Sequence, residues 1–220
     1  MNKPVTFAPP EPDSIGFDTK DFEAMAARGA FEGLEVALVG RELVKEGGAE
    51  AFTADDYEAM IGRDAFRLMR VELARGRLVR VAPAHLPHSR FIPKLLFALY
   101  TAIGKGAPLL CDPITFLADD TMLAPDIVLA NTALLPEKRL PAEQVALAIE
   151  VSHTTLRRDL GWKARDYAAA SIAHYWVVDI MAGVTHVFSE PGRDGYLSHQ
   201  TVRFTEPLAI PGHDATLTLA

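Results

Sequence analysis

The segment Val145-Ala-Leu-Ala-Ile-Glu-Val-Ser152 is the strongest constraint in the chain. Side chains alternate along a strand, so Val145, Leu147, Ile149 and Val151 line one face, while Ala146, Ala148, Glu150 and Ser152 line the other. A carboxylate in so apolar a run is very costly to bury unless it is paired, protonated or bound to a metal. Glu150, on a face otherwise cleared by alanines, is therefore expected to have a partner.

Asp126 repeats the pattern. It follows Pro125, which cannot donate to a sheet ladder and suits a strand start, and it precedes the apolar Ile127, Val128 and Leu129. Two strands thus each present one acid near an end. After Glu150 come the capping residues of Ser152-His153-Thr154-Thr155 and a predicted helix through about Ala170. On it, Asp159, Lys163 and Tyr167 fall on one stripe and Leu160, Ala164 and Ala168 on another.

Two carboxylates with a lysine close by can hold a divalent cation and position a water for attack on a phosphodiester. Hard oxygen ligands favour Mg²⁺ or Mn²⁺ over zinc, and the ammonium would steady charge on the attacked phosphate. The same residues have a plainer interpretation, in which Glu150 and Lys163 form only a partly buried ion pair. Tyr167 is expected to pack with a hydrogen-bonding tip, and Tyr175 and Trp176 to lie in the core. Asp159 is expected to orient Lys163 or to face solvent. His153 either touches phosphate or is a solvated loop histidine. The histidines show no close metal-ligand spacing, which argues against zinc.

With 220 residues and 49% hydrophobic content, the chain can bury one substantial core. No apolar run approaches the roughly 20 residues that span a bilayer. Met1 to Pro12 lacks the features of a secretory signal, so the cytoplasm is the expected location. The single cysteine, Cys111, excludes an intrachain disulfide and is expected to fill a strand core. A net charge of −7 stands against a strongly basic nucleic-acid binder. Charge is local, however: Arg157, Arg158, Lys163 and Arg165 cluster beside the proposed site, and Arg63, Arg67, Arg70, Arg75, Arg77 and Arg80 load an upstream segment. Modest affinity and marked metal dependence are the expectation.

Residues 1–16, rich in proline, read as a flexible lead. From Phe17 onward the chain aligns with itself from Phe52 onward at a constant offset of 35 residues, through Asp21 and Asp56, Met25 and Met60, Arg28 and Arg63, Phe31 and Phe66, and Val44 and Val79. The register predicts an internal duplication, each copy a short helix followed by a hairpin, turning at Gly40 and at Arg75-Gly76. The second copy carries Glu72 where the first has Ala37, so only the second can supply an acid. The first copy, residues 17–51, is expected to be structural, extending the sheet, covering its edge or lying at a dimer interface.

Pro125-Asp126, Ile149-Glu150-Val151-Ser152, Asp159, Lys163 and Tyr167, and His174-Tyr175-Trp176-Val177-Val178-Asp179 together resemble the Uma-type restriction endonucleases of bacteria, a branch of the PD-(D/E)XK superfamily. The resemblance runs from about Phe52 to near the C-terminus. The superfamily lysine ordinarily lies two residues after the second acid, where this chain has Ser152; Lys163 matches the migrated lysine of the subfamily. By this resemblance Asp126 and Glu150 would be metal ligands with the Val151 carbonyl as a third, and Lys163 the catalytic lysine. Val71-Glu72-Leu73-Ala74-Arg75-Gly76 resembles the family's Glu-Leu-x-x-Gly strand and turn, which makes Glu72 a fourth catalytic candidate. His88 matches a histidine often found before the adjoining apolar helix.

The expected fold is α/β, a restriction-endonuclease-like mixed sheet flanked by helices over residues 52–220, with Asp126 and Glu150 on adjacent central strands and helices at 85–104 and 156–170 on its faces. The expected function is a Mg²⁺- or Mn²⁺-dependent endonuclease acting on DNA as a homodimer, because a duplex has two backbones to cut. Two alternatives stand beside it: a catalytically silent nucleic-acid-binding or accessory protein of the same fold, and an oligomerising protein whose buried charges only fix packing.

Overall fold

In the computed structural model, residues 15–45, 51–83, 85–132, 136 and 138–220 are described. The lead expected at 1–16 lies outside them as far as residue 14. The chain forms two units, Met1–Pro83 with Ala118–Leu123, and Ala84–Leu117 with Ala124–Ala220.

Two helix–hairpin segments succeed one another in the first unit. Helix α1 (Thr19–Ala26) leads into β1 (Val36–Val39) and β2 (Glu42–Lys45); α2 (Ala54–Gly62) leads into β3 (Arg70–Ala74) and β4 (Arg77–Val81). Both helices start at a capping box, Asp18 with Asp21 and Thr53 with Asp56, which satisfies backbone donors that the first turn cannot pair. Met25 and Met60 anchor the two helices in the unit's core.

The second unit opens with α3 (Leu86–Ile103), then β5 (Leu109–Cys111) and β6 (Thr115–Ala118). Next, β7 (Thr121–Leu123) belongs to the first unit and pairs antiparallel with β3 through Leu73 and Met122. The chain continues through β8 (Ile127–Ala130), β9 (Leu140–Pro141), which pairs parallel with β6, and β10 (Val145–Ser152). After the helical stretch at 156–169 come β11 (His174–Asp179), β12 (Val184–Gly192) and β13 (Gly195–Arg203), and then a separate small hairpin of β14 (Leu208–Ala209) and β15 (Thr216–Leu217).

Six of these strands form one mixed sheet in the order β13-β12-β11-β10-β8-β5. β10 is central, parallel to β11 and antiparallel to β8. On one face, Leu147, Ile149 and Val151 of β10, Ile127 and Leu129 of β8, and Trp176 and Val178 of β11 pack with Leu95 and Leu99 of α3. Burying each such side chain contributes on the order of 1.5–3 kcal/mol, which fixes the alternation and turns Glu150 to the opposite face. The architecture is the mixed α/β sheet with flanking helices that the alternating pattern predicts.

Local structure departs from simple sequence patterns in four places. Pro93 lies inside the 18-residue α3, where proline ordinarily breaks a helix beyond its first turn. It is exposed, so the Ser89 carbonyl that loses its helical donor can turn to water. The proline- and glycine-bearing stretch Glu190–Gly195 is mostly strand, turning only at Arg193-Asp194, because β12 continues to Gly192, opposite Gly195. Beyond Ser189 that strand has β13 alone as a ladder partner, and such an edge tolerates Pro191. Cys111 is exposed at the end of β5 rather than in a core. The continuous helix expected over 156–170 is interrupted, with consequences for the site.

Candidate active site

Glu150 sits two residues before the end of the central strand, 3% exposed. Its Oε1 accepts hydrogen bonds from Lys163 Nζ at 2.8 Å and from the Tyr167 hydroxyl at 2.9 Å. Both donors are also buried. An ammonium and a phenol on one carboxylate oxygen provide the compensation that a buried charge requires.

Lys163 reaches that position through an irregular helix. Residues Leu156–Arg158 form one α-helical turn, α4; Asp159–Lys163 form a π turn; and Ala164–Ala169 form α5. A π turn widens the helix by roughly one residue and re-aims the side chains beyond it. Lys163 and Tyr167, four apart, then share a face directed at Glu150. Asp159 does not continue that stripe. It is buried, taking Thr155 Oγ1 at 2.5 Å and Arg158 Nε at 3.2 Å, while the Tyr175 hydroxyl donates to its backbone carbonyl at 2.9 Å. Of its two expected placements Asp159 does not face solvent; it braces the turn that carries Lys163.

Asp126 immediately precedes β8. The β8–β10 register pairs Ile127 with Ile149, so the next step sets Asp126 beside Glu150. Its Oδ2 accepts the Val151 backbone N–H at 2.7 Å and lies 3.0 Å from His88 Nε2. One acid is therefore fastened to the peptide that succeeds the other. His88 comes from the first turn of α3 and is partly buried, and the Asp112 N–H closes the strand end on the Asp126 carbonyl at 3.2 Å. Asp126, Glu150 and Lys163 converge at one end of the central strands, with His88 and Tyr167 as hydrogen-bonding neighbours.

The remaining sequence candidates divide. Glu72 is buried in β3 of the first unit. There the Tyr57 phenol is pushed well above its ordinary value of 10, by burial first and then by the charge of Glu72, and its hydroxyl donates to the Val71 carbonyl. His153 is half-buried, its ring 5.8 Å from that of His85. The Cys111 thiol is raised above its ordinary value by partial burial and then by Asp112 and Asp126, which disfavours a nucleophilic thiolate.

The expected basic patches are largely consumed by internal pairs. Arg158 is buried against Asp159, and Lys163 is buried on Glu150. Arg63 pairs with Glu32, Arg67 with Asp64, Arg77 with Glu42, and Arg80 with Asp21. Of the cluster beside the acids, Arg157 and Arg165 remain exposed. Arg63, Arg77 and Arg80 pair with acids of the preceding helix–hairpin, which counting residues along the chain does not show.

The donor set suits a hard divalent cation: two carboxylates from adjacent strand ends and the Val151 backbone between them. Among the described residues no three carboxylate, imidazole or thiol groups form a complete cage. A cation of the Mg²⁺ type, which keeps several waters and is held by one or two carboxylates plus substrate oxygens, fits such a partial set better than one needing four protein ligands.

The family model described as "Uma2: Putative restriction endonuclease" matches residues 54–220. The chain belongs to the Uma2 family. The match begins in α2, so the first helix–hairpin lies before it. Among solved structures, the chain is similar to a putative nuclease belonging to DUF820 from Anabaena variabilis ATCC 29413, with a TM-score of 0.53 and 12% identity over 68% of this chain and 87% of that one. That likeness shows the fold, restriction-endonuclease-like, as the residue pattern implies. No curated protein matches the chain. Among the described residues no helix is long and apolar enough to cross a membrane.

Proposed function

We infer that this Uma2 protein is a divalent-metal-dependent endonuclease that hydrolyses phosphodiester bonds of DNA in the cytoplasm. The observation that carries this reading is the joining of two acids and a lysine: Glu150 bound by Lys163 at 2.8 Å, and Asp126 bound to the very next backbone N–H at 2.7 Å. Membership of a family of restriction endonucleases supports the reaction class.

Asp126 and Glu150 would hold the cation, with the Val151 carbonyl as a third protein ligand. A hydrated Mg²⁺ or Mn²⁺ held there supplies charge neutralisation at the phosphate and a water of lowered pKa. Lys163 presents its ammonium to Glu150, where it would stabilise negative charge gathering on the attacked phosphate. Tyr167 holds Glu150 in place as its second donor, and His88 does the same for Asp126. The hydrogen bonds that satisfy both acids keep them aligned before substrate arrives, which lowers the reorganisation needed on binding. Glu72 is retained as a fourth catalytic residue on the resemblance of its strand and turn. A twofold homodimer would offer one site to each strand of a duplex.

One observation favours a second reading. Glu150, Lys163 and Tyr167 form a buried, hydrogen-bonded network that can serve packing alone, as in a catalytically silent nucleic-acid-binding scaffold. Cleavage of supercoiled and linear DNA with Mg²⁺ or Mn²⁺ separates the two. Endonuclease action requires nicking by the native chain, its loss in chelator, and a fall of at least about 100-fold in Asp126→Ala and Lys163→Ala. Equal activity in all three preparations would assign the cleavage to a contaminant.

A further inference from the structure

The two helix–hairpins of the first unit match contact for contact, not only in sequence. At the same offset of 35 residues, Phe17 N–H donates to the Arg41 carbonyl at 2.8 Å and Phe52 N–H to the Gly76 carbonyl at 2.9 Å. Arg28 Nη1 reaches the Ala24 carbonyl at 3.0 Å and Arg63 Nη1 the Ala59 carbonyl at 3.2 Å. Phe22 stacks on Phe31 with ring centroids 5.1 Å apart, and Tyr57 on Phe66 at 5.6 Å. Both hairpins turn through two residues of positive φ, Gly40-Arg41 and Arg75-Gly76.

Two of the ion pairs between the copies are reciprocal, whereas Arg63–Glu32 has two arginines, Arg28 and Arg67, at the counterpart positions. Lys45 of the first pairs with Asp56 of the second at 2.6 Å, and the counterpart of Lys45, which is Arg80, pairs with the counterpart of Asp56, which is Asp21. That exchange of roles is the signature of an isologous, twofold contact. On its axis a residue must meet its own counterpart. Glu42 and Arg77 are such counterparts, and they meet at 2.5 Å.

This geometry separates the charges that permit association from the one that directs it. If two second copies paired, Asp56 and Arg80 would still complement one another, but Arg77 would face Arg77. If two first copies paired, Lys45 and Asp21 would still match, but Glu42 would face Glu42. Opposite charge on the axis arises only when unlike copies meet.

We propose that the face of residues 52–80 covered by residues 17–45 is a docking surface for a helix–hairpin of the same kind, which a second copy of this chain can supply in trans. Glu42 against Arg77 is the contact that selects the pairing of unlike copies. The first copy thus acts as a built-in partner on a surface whose Lys45–Asp56 and Arg80–Asp21 pairs are self-complementary and whose axis is not.

A charge-swap series in the full-length chain tests this at low ionic strength, where partly exposed pairs are least screened. Glu42→Arg and Arg77→Glu each place like charges on the axis within one chain and should lower the melting temperature by about 1–4 °C. The double variant restores opposite charge and should return to the native value. In a mixture of the two single variants, refolded together, first copy and second copy from different chains regain an attractive axis in both pairings. Native mass spectrometry should then show heterodimer in excess of that formed by two isotopically distinguished native chains. A double variant that melts as low as the sum of the singles implies, or a mixture without that excess, would overturn the proposal.

Discussion

Lys163 and Glu150 meet at 2.8 Å with both side chains almost wholly removed from solvent. For such a pair the large effect comes from deleting one partner, which strands the other charge, rather than from deleting both. Lys163→Ala and Glu150→Ala should each lower unfolding free energy by about 3–5 kcal/mol, read from urea midpoints. The double variant Glu150→Gln/Lys163→Met should cost far less than the sum of the two single changes. Simple additivity would mean that the pair is not coupled.

Tyr167 supplies the second donor to the same oxygen and is wholly buried. Tyr167→Phe keeps the ring packed on Tyr175 at 4.7 Å and removes only the hydroxyl. A hydrogen bond to a buried carboxylate is worth about 1.5–3 kcal/mol, and the loss should appear at that size in urea denaturation. A loss below about 0.5 kcal/mol would show that Lys163 alone satisfies Glu150.

The central strands are legible in the sequence because their alternation is strict from Leu147 to Ser152; at the start of β10 a register shift between Val145 and Leu147 breaks it, and Ala146 rather than Val145 packs with the Leu147 face. The i, i+4 relation of Lys163 and Tyr167 is legible for a similar reason. The π turn at Asp159–Lys163 is not, since Asp-Leu-Gly-Trp-Lys carries no periodic mark distinguishing it from an α turn, and the fate of Asp159 depends on it. Nor do lone arginines announce their partners. Arg77 and Arg80 find acids 35 and 59 residues away through a packing contact that no local pattern encodes. Cys111 escapes its expected core position because a three-residue strand has too few positions to establish a face.

Burial holds His174 below its ordinary value of 6.5, and does the same for His186, where the charge of His199 adds to the lowering and that of Asp179 opposes it. The unfolded chain therefore binds protons that the folded chain resists. Stability is fully present above about pH 6.5 and declines as pH falls through that value toward the lower folded values. Urea midpoints measured between about pH 5 and 8 should show this slope, and His174→Gln/His186→Gln should flatten it. An unchanged slope would place the titration elsewhere.

Gly76 has φ +74°, and a Cβ there would collide with the Ala51 Cβ. At Gly40, φ is +58° and the space is open. Gly40→Ala should cost only the left-handed backbone penalty of about 1–2 kcal/mol, whereas Gly76→Ala adds a steric clash and should cost clearly more. Melting curves of the two variants compare them directly. Equal losses would show that Ala51 yields to the added methyl.

Whether Asp126 and Glu150 serve a cation, rather than only each other's neighbours, is decided most directly by calorimetric titration of Mn²⁺ into folded native protein and into Asp126→Asn and Glu150→Gln, with Lys163→Met as a control that spares both acids. The nuclease site requires saturable binding by the native chain, loss of at least about tenfold in affinity in either acid variant, and retained binding in Lys163→Met. Absence of binding in the native chain, or equal binding in all four, would contradict it.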